Sequence, residues 1–287
     1  MLSVVIFSKD RAMQCDVLLH SIYKYLNIDS KITILWTASD NKYSAGYSRL
    51  IDLHKNNVMF VRESNFYNDV INLLDVGSHI PYTLYFADDY FMIRPFAYDY
   101  IFKEFESNEQ ILGLNLRMGK NIVSNYYLGN DELKIFFHKE STVDRYLIKN
   151  NNIEPIEFSD NNTYSWRGKD KSSWGYSMSV VGQVYRTKDL LSISQKLKYV
   201  TNPNMFEEAL IKNTLSKEFL ICPDKHVIIE VCLNLVNDTH TDNPHGQIST
   251  KLLNEKWLEE YRIKPECFYK LKGNSKRFIN VDLELMK

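Results

Sequence analysis

Residues 86–91 read Phe-Ala-Asp-Asp-Tyr-Phe, and the neighbouring acids Asp88 and Asp89 are the pair whose chemistry needs explaining first. Two carboxylates side by side at the end of an apolar strand repel each other and lose hydration. They need a cation or strong hydrogen-bond donors between them. That is a metal site in outline. Hard oxygen ligands select Mg²⁺ or Mn²⁺, and such an ion usually completes its shell with water and substrate phosphates. A second acid pair, Glu207 and Glu208, follows Asn202-Pro203 in the first turn of an expected helix. The helix dipole alone would favour acids there, and a carboxylate so placed also suits proton abstraction. Trp166, Trp174, Gly175 and Tyr176 offer aromatic faces beside a glycine, fit either for stacking on a flat ligand or for packing a lid. Arg117, Lys120, Arg167, Lys169 and Lys171 would meet phosphate only if their polar stretch folded over a ligand; a solvated face is the favoured reading.

The elements that must position these groups follow from periodicity. Ser3–Phe7 is a continuous β-branched and aromatic run, as in a strand buried on both faces. From Ala12 the apolar positions (Cys15, Leu18, Leu19, Ile22, Leu26) take helical spacing up to Asn27. Strands are expected at Lys31–Trp36, Val58–Val61 and Thr83–Phe86, with a helix capped by Ser44 and another from Phe66 that Gly77 stops. This alternation implies a parallel sheet with helices on both faces, whose ligands sit beyond the carboxyl ends of the strands. The polar residues after those strands are Ser8–Arg11, Thr37–Asp40, Arg62–Ser64 and Ala87–Tyr90. Farther on, Ile111–Leu116 reads as a strand and residues 118–173 as a polar insertion with a helix around Ser141–Lys149. Tyr176–Arg186 reads as a strand and Thr187–Leu197 as a helix. Next come a helix opened by Asn202 and Pro203, a strand at Lys225–Leu233 and a helix at Thr250–Tyr261. One catalytic unit over 1–287 is expected, its halves being 1–95 and 96–287.

The composition narrows the options. With 35 basic and 36 acidic residues, nothing at whole-chain level announces a polyanionic partner. No stretch is apolar long enough to span a bilayer, and four widely spaced cysteines suggest neither zinc nor disulfides, so the cytoplasm is the expected compartment, with peripheral contact at the inner membrane face as a variant. A phosphate-binding GxxxxGK[ST] loop and a dinucleotide GxGxxG turn are both missing, which argues against P-loop kinases and Rossmann oxidoreductases. SKDRAMQ after the first strand also lacks the glycine-rich loop of a nucleotidyltransferase.

VVIFSKDRAMQCDVLLHSI followed by TLYFADDYF resembles the sugar-nucleotide-binding half of GT-A glycosyltransferases, specifically the family-2-like enzymes associated with bacterial surface glycans. SWGYSMSVVGQVYR, NPNMFEEAL and NLVNDTH carry the resemblance more loosely. It implies a GT-A α/β fold and a nucleotide-sugar donor, UDP-linked in the first place, bound with Mn²⁺ or Mg²⁺. The sugar would pass to a hydroxyl of a glycan acceptor, with inversion. By position it implies Ser8, Asp10 and Arg11 near base or phosphate, Asp40 near base or ribose, and Asp88 and Asp89 at donor and metal. His240, or His245, would be a third metal ligand, Glu207 or Glu208 the base with Glu207 preferred, and Trp174, Gly175 and Tyr176 the acceptor side. Tyr90 stands where the family's motif often has a third acid. The less favoured alternatives are transfer to hydroxymethylated bases of phage DNA, a nucleic-acid acceptor that would need a basic groove, and a degenerate domain that binds a glycan or partner without turnover.

Overall fold

The computed structural model describes residues 1–122, 124–128, 146–149, 152–168, 173–236, 244–271, 273–279 and 281–287, with 124–128, 146–149 and 152–155 described by backbone course alone. The first half follows the expected alternation: β1 (Leu2–Lys9), α1 (Ala12–Tyr25), a short β2 (Leu26–Asn27), β3 (Ser30–Thr37), α2 (Asn41–His54), β4 (Val58–Arg62), α3 (Phe66–Val76) and β5 (Tyr82–Ala87). Then come β6 (Tyr90–Met92), β7 (Phe96–Ala97), α4 (Tyr100–Ser107), β8 (Ile111–Asn115), β9 (Ser124–Leu128), β10 (Tyr146–Lys149), β11 (Asn152–Pro155) and β12 (Thr163–Ser165). The remainder holds β13 (Gln183–Arg186), α5 (Thr187–Ser194), α6 (Pro203–Lys212), β14 (Phe219–Ile221), β15 (Ile228–Cys232), α7 (Thr250–Leu258), β16 (Arg262–Ile263), α8 (Glu266–Tyr269), β17 (Ser275–Ile279) and β18 (Leu285–Met286).

Eight strands form the main sheet in the order β12-β14-β8-β13-β5-β1-β3-β4. The run from β5 to β4 is parallel throughout, as is the pair β14 and β8, while β13 lies antiparallel to both β5 and β8. The fold is therefore α/β with a mainly parallel sheet, and strands from both sides of residue 95 share it. Alternate residues of β1 feed two cores. Leu2, Val4 and Ile6 pack with α1, Tyr47 and Leu50 of α2 and Trp257 of α7, whereas Val5 and Phe7 pack with Phe66, Val70 and Leu74 of α3 and Phe206 and Leu210 of α6. That two-sided burial is why β1 reads as an unbroken apolar run. All four cysteines are buried thiols. No described helix is long and apolar enough to cross a membrane.

A second, four-stranded sheet, β6-β15-β17-β9, lies beside the first. The chain leaves the main sheet at Ala87 and enters this one at Tyr90, so Asp88 and Asp89 are the two-residue step between two sheets. β15 then pairs with β6, and the Val231 N–H donates to the Asp89 carbonyl at 2.8 Å, fixing the step from the far side.

Several expectations need correction. The cap of α2 is Asp40, whose Oδ1 accepts from the N–H groups of Lys42 and Tyr43, and not Ser44, which lies inside the helix. Tyr146–Lys149 is a strand paired antiparallel with β11, so no helix ends at Lys149, and 141–145 lie outside the described residues. Of the strand expected over 176–186 only Gln183–Arg186 forms, because Glu207 and Tyr185 bind the backbone N–H groups at Val180 and Ser179 that a ladder would have used. The α4 helix, capped by Asp99, lies where the sequence pattern had loosened.

Candidate active site

Asp88 sits at the tip of β5 with 2 % of its surface exposed. Its Oδ2 accepts from the Ser8 hydroxyl (2.8 Å) and the Lys9 N–H (3.0 Å), and its Oδ1 from Arg11 Nη1 (2.9 Å). With its proton given to Asp88, Ser8 receives the Tyr47 O–H at 2.6 Å, and the Tyr47 oxygen accepts the Arg11 N–H at 3.3 Å. The same Arg11 Nη1 reaches Asp89 Oδ2 at 3.0 Å. The rest of the guanidinium is anchored on Asn234, through Nε to the side-chain oxygen (2.8 Å) and Nη2 to the carbonyl (2.6 Å). Arg11 thus ties the first strand tip to a residue 223 positions away. Burial alone would ease its proton off, but the charges of Asp88 and Asp89 outweigh that and hold it firmly cationic.

The cation between the two acids is therefore a guanidinium, where the sequence reading had expected a divalent ion shared by both. Asp88 has both oxygens engaged. Asp89 differs: its side chain is 17 % exposed, and among the described residues its Oδ1 has no hydrogen-bond partner. Burial, opposed by Arg11 and reinforced by the charges of Asp88 and Glu230, pushes its carboxyl up to about 6. One carboxylate oxygen beside uncompensated negative charge fits a hard divalent cation that takes its other ligands from phosphate and water. The donor set fits such an ion through Asp89 alone.

Asp10 has φ 58°, a left-handed turn that an aspartate tolerates better than most residues. Its carboxylate accepts from Ser39 N–H and Oγ, both at 2.8 Å, stitching the loop after β1 to the loop after β3. Asp40, exposed, spends one oxygen on its cap. Ser8, Asp10, Arg11, Asp88 and Asp89 are joined through side-chain and loop contacts at one edge of the sheet, and Asp40 borders it.

Glu207 lies in the second turn of α6, whose first turn holds no acid, so the helix-dipole argument for the pair does not apply. It is held by three donors: the Tyr176 hydroxyl on Oε1 (2.6 Å), and Val180 N–H (2.6 Å) and Ser179 Oγ (3.0 Å) on Oε2. Glu208 points elsewhere, 3.7 Å from Lys212 one turn on and about half exposed. Trp174 is buried, with Tyr164 and Phe158 packed edge-on against it, so it presents no face to an acceptor; Gly175 shares its short 3₁₀ turn. Tyr176 alone of that trio is substantially exposed. His240 lies outside the described residues, as do Lys169 and Lys171.

Tyr47, Asn234 and Glu230 were missed in the sequence. Glu230 on β15 binds Arg277 Nε at 2.7 Å; burial would raise it, but Arg277 and Arg117 hold it down at about 2. Another cluster with metal-ligand chemistry, Asp16, His20 and His54, gathers on α1 and α2. There Arg262 donates to both oxygens of Asp16 (2.9 and 2.6 Å) and touches His20, while His54 Nε2 lies 2.8 Å from Asp16. The arginine fills the place an ion would take.

No family model matches the chain. A bifunctional glycosyltransferase, pgtA, of Dictyostelium discoideum is 26% identical over 264 residues, 84% of this chain. The chain spans 33% of that protein's length. Among solved structures, S. aureus TarS 1–349 aligns over 77% of this chain and 60% of its own at 12% identity, TM-score 0.38. The WbbM bifunctional glycosyltransferase aligns over 76% and 38% at 11% identity, TM-score 0.39. The mannosyltransferase PcManGT of Pyrobaculum calidifontis, solved with GDP-Man and Mn²⁺, aligns over 42% and 39% at 12% identity, TM-score 0.29. Over most of its length the chain is thus similar to a curated glycosyltransferase.

Proposed function

We propose that the chain is a metal-dependent glycosyltransferase that moves a sugar from a nucleotide donor to an acceptor hydroxyl, with inversion, on a glycan of the surface-polysaccharide type. The observation that carries this reading is the state of Asp89: adjacent to a saturated Asp88, at the strand tips, with one oxygen uncommitted. Mn²⁺ or Mg²⁺ held by Asp89 would supply positive charge to the diphosphate leaving group. Arg11 is spent on the two acids and on Asn234, so its task is to hold the Asp88–Asp89 step in shape.

Glu207 supports the inverting version. Its half-buried carboxylate, in the second turn of α6, is oriented by Tyr176, Ser179 and Val180 and accepts the proton of the attacking hydroxyl. Tyr176, exposed and bonded to that carboxylate, borders the acceptor. The near-neutral charge balance suits a glycan better than the DNA alternative, which needs a basic groove. A cytoplasmic setting follows the same reading, since nucleotide sugars are its substrates and the thiols are unpaired.

The test is a calorimetric and thermal-shift screen of UDP-, GDP-, CMP- and dTDP-sugars with Mn²⁺ and with EDTA. One donor should raise the melting temperature in the presence of Mn²⁺ only, in proportion to RT ln(1 + [L]/Kd), and be hydrolysed or transferred. Tight donor binding without turnover on any acceptor would reject the enzyme in favour of a binding domain, and equal binding in EDTA would reject the metal.

A further inference from the structure

Arg117 follows β8 and was read from the sequence as part of a solvated face. The structure puts it elsewhere. Its backbone is set by Asn115, whose Oδ1 accepts the Arg117 and Met118 N–H groups at 3.1 and 3.2 Å. Its stem runs over Gly182, which has φ 65° and no room for a side chain: a Cβ there would stand 2.7 Å from Arg117 Cγ. The guanidinium then lies over the ring of Tyr90, 5.2 Å from its centroid, next in sequence to Asp89. Its Nη1 donates to Ser179 Oγ at 3.3 Å, and the same hydroxyl binds Glu207. Arg117 therefore spans the gap between the Asp89 step and Glu207.

This cation is short of partners. Among the described residues no carboxylate comes within ion-pair distance of it, its guanidinium makes one hydrogen bond, the long one to Ser179, and its Nε is shut away from water with no acceptor. The nearby acids Glu230 and Glu207 help keep it protonated by their charge but are bonded to others, Glu230 to Arg277 and Glu207 to Tyr176, Ser179 and Val180. A partly buried guanidinium whose Nε finds no acceptor is costly unless an anion completes it. A guanidinium is also the group best shaped to take two phosphate oxygens at once.

We infer that Arg117 is a phosphate-binding residue of the donor site, taking the distal phosphate of the nucleoside diphosphate, the group that departs when the sugar is transferred. The inference rests on the sugar-nucleotide reading of the cleft. With Tyr90 in place of a third acid, the ring packs against the guanidinium without an ion pair, and its donors stay open to a ligand. Departure of the diphosphate leaves one more negative charge on its distal phosphate, which Arg117 then offsets.

The experiment is calorimetry on the full chain with Mn²⁺, using UDP, GDP and dTDP and the matching monophosphates as probes, on wild type, Arg117→Met and Arg117→Lys. Loss of a charge-assisted hydrogen bond predicts that the diphosphate which binds wild type binds Arg117→Met roughly ten- to a hundredfold more weakly. The matching monophosphate should bind both equally, and Arg117→Lys, which keeps the charge and loses the fork, should fall between. If Arg117→Met does not fold, as judged by its melting curve, Arg117→Lys decides the matter alone. Diphosphate affinity unchanged by the substitution, or monophosphate affinity lowered to the same degree, overturns the role of Arg117 and leaves the sugar-nucleotide reading standing. A wild type that binds none of the nucleotides overturns both.

Discussion

Arg11 holds Asp88 and Asp89 at the step between two sheets, whereas Arg262 holds Asp16 beside His20 and His54 on the α1–α2 side. Both are arginine–carboxylate clusters in places short of water, and they differ in their accounts of charge. Asp16 is a single acid, 1 % exposed at its side chain, whose two oxygens meet one guanidinium and an imidazole. Although burial would raise its carboxyl, His54 and Arg262 hold it below the usual carboxylate range. At the other cluster one guanidinium serves two acids, with Glu230 near enough to raise Asp89 further. The first arrangement is complete within the fold; the second keeps excess negative charge and, among the described residues, an oxygen without a hydrogen-bond partner, which suits a cationic ligand. Ligand-like residue types therefore do not distinguish a site. The residual charge after internal pairing does.

The sharpest way to break that comparison is to remove one acid from each cluster. Asp89→Asn should lower kcat/KM by about a thousandfold, since a group acting on transition-state charge is worth about 4 kcal/mol, while leaving the melting temperature nearly unchanged. Asp16→Asn should do the reverse. Taking the charge from a buried pair costs about 3 kcal/mol of stability, to be read from urea unfolding, with kcat/KM of the folded protein kept. If Asp16→Asn proved the inactive variant and Asp89→Asn the unstable one, the assignment of roles would be inverted.

Glu207 lies between the two extremes, satisfied by three donors yet only half-buried. Glu207→Gln should reduce kcat about a hundredfold with donor affinity intact, the range for loss of a general base. Equal loss in donor binding would make it part of the nucleotide site instead.

Much of this was legible in the sequence, for a physical reason. β1, β3, β4 and β5 are short apolar runs between polar tips, so their positions could be read directly, as could the Asn202–Pro203 start of α6. What escaped were groups made relevant by distant partners. Nothing around Asn234 shows that it anchors Arg11, and nothing around Gly182 shows that it clears a path for Arg117. Trp174 failed as an acceptor platform because residue type states that a ring will be buried or stacked without stating against what. The second sheet was missed because β6 has three residues and pairs with a strand more than 130 positions later.

The smallest expected effect concerns pH. Burial, aided by Arg262 and His54 against the pull of Asp16, keeps the proton affinity of His20 below its ordinary value. The unfolded chain then binds that proton first, so stability is full above the unfolded pKa of about 6.5 and falls as pH drops through it. A fall in melting temperature of about a degree between pH 7 and 5.5 should shrink in His20→Asn and grow in Asp89→Asn, because the raised Asp89 carboxyl takes up a proton in the folded state over the same range and so offsets the loss.

The seat of β13 in the main sheet has a consequence for synthesis. β5 pairs with β1 on one side, but its other neighbour, at Gln183–Arg186, lies 96 residues beyond Ala87. At ribosomal elongation of roughly 5–20 residues per second, the nascent chain carries an open strand edge for about 5–20 s before its partner is made. Translation speed and holding chaperones should therefore govern the soluble yield of this protein more than its final stability does.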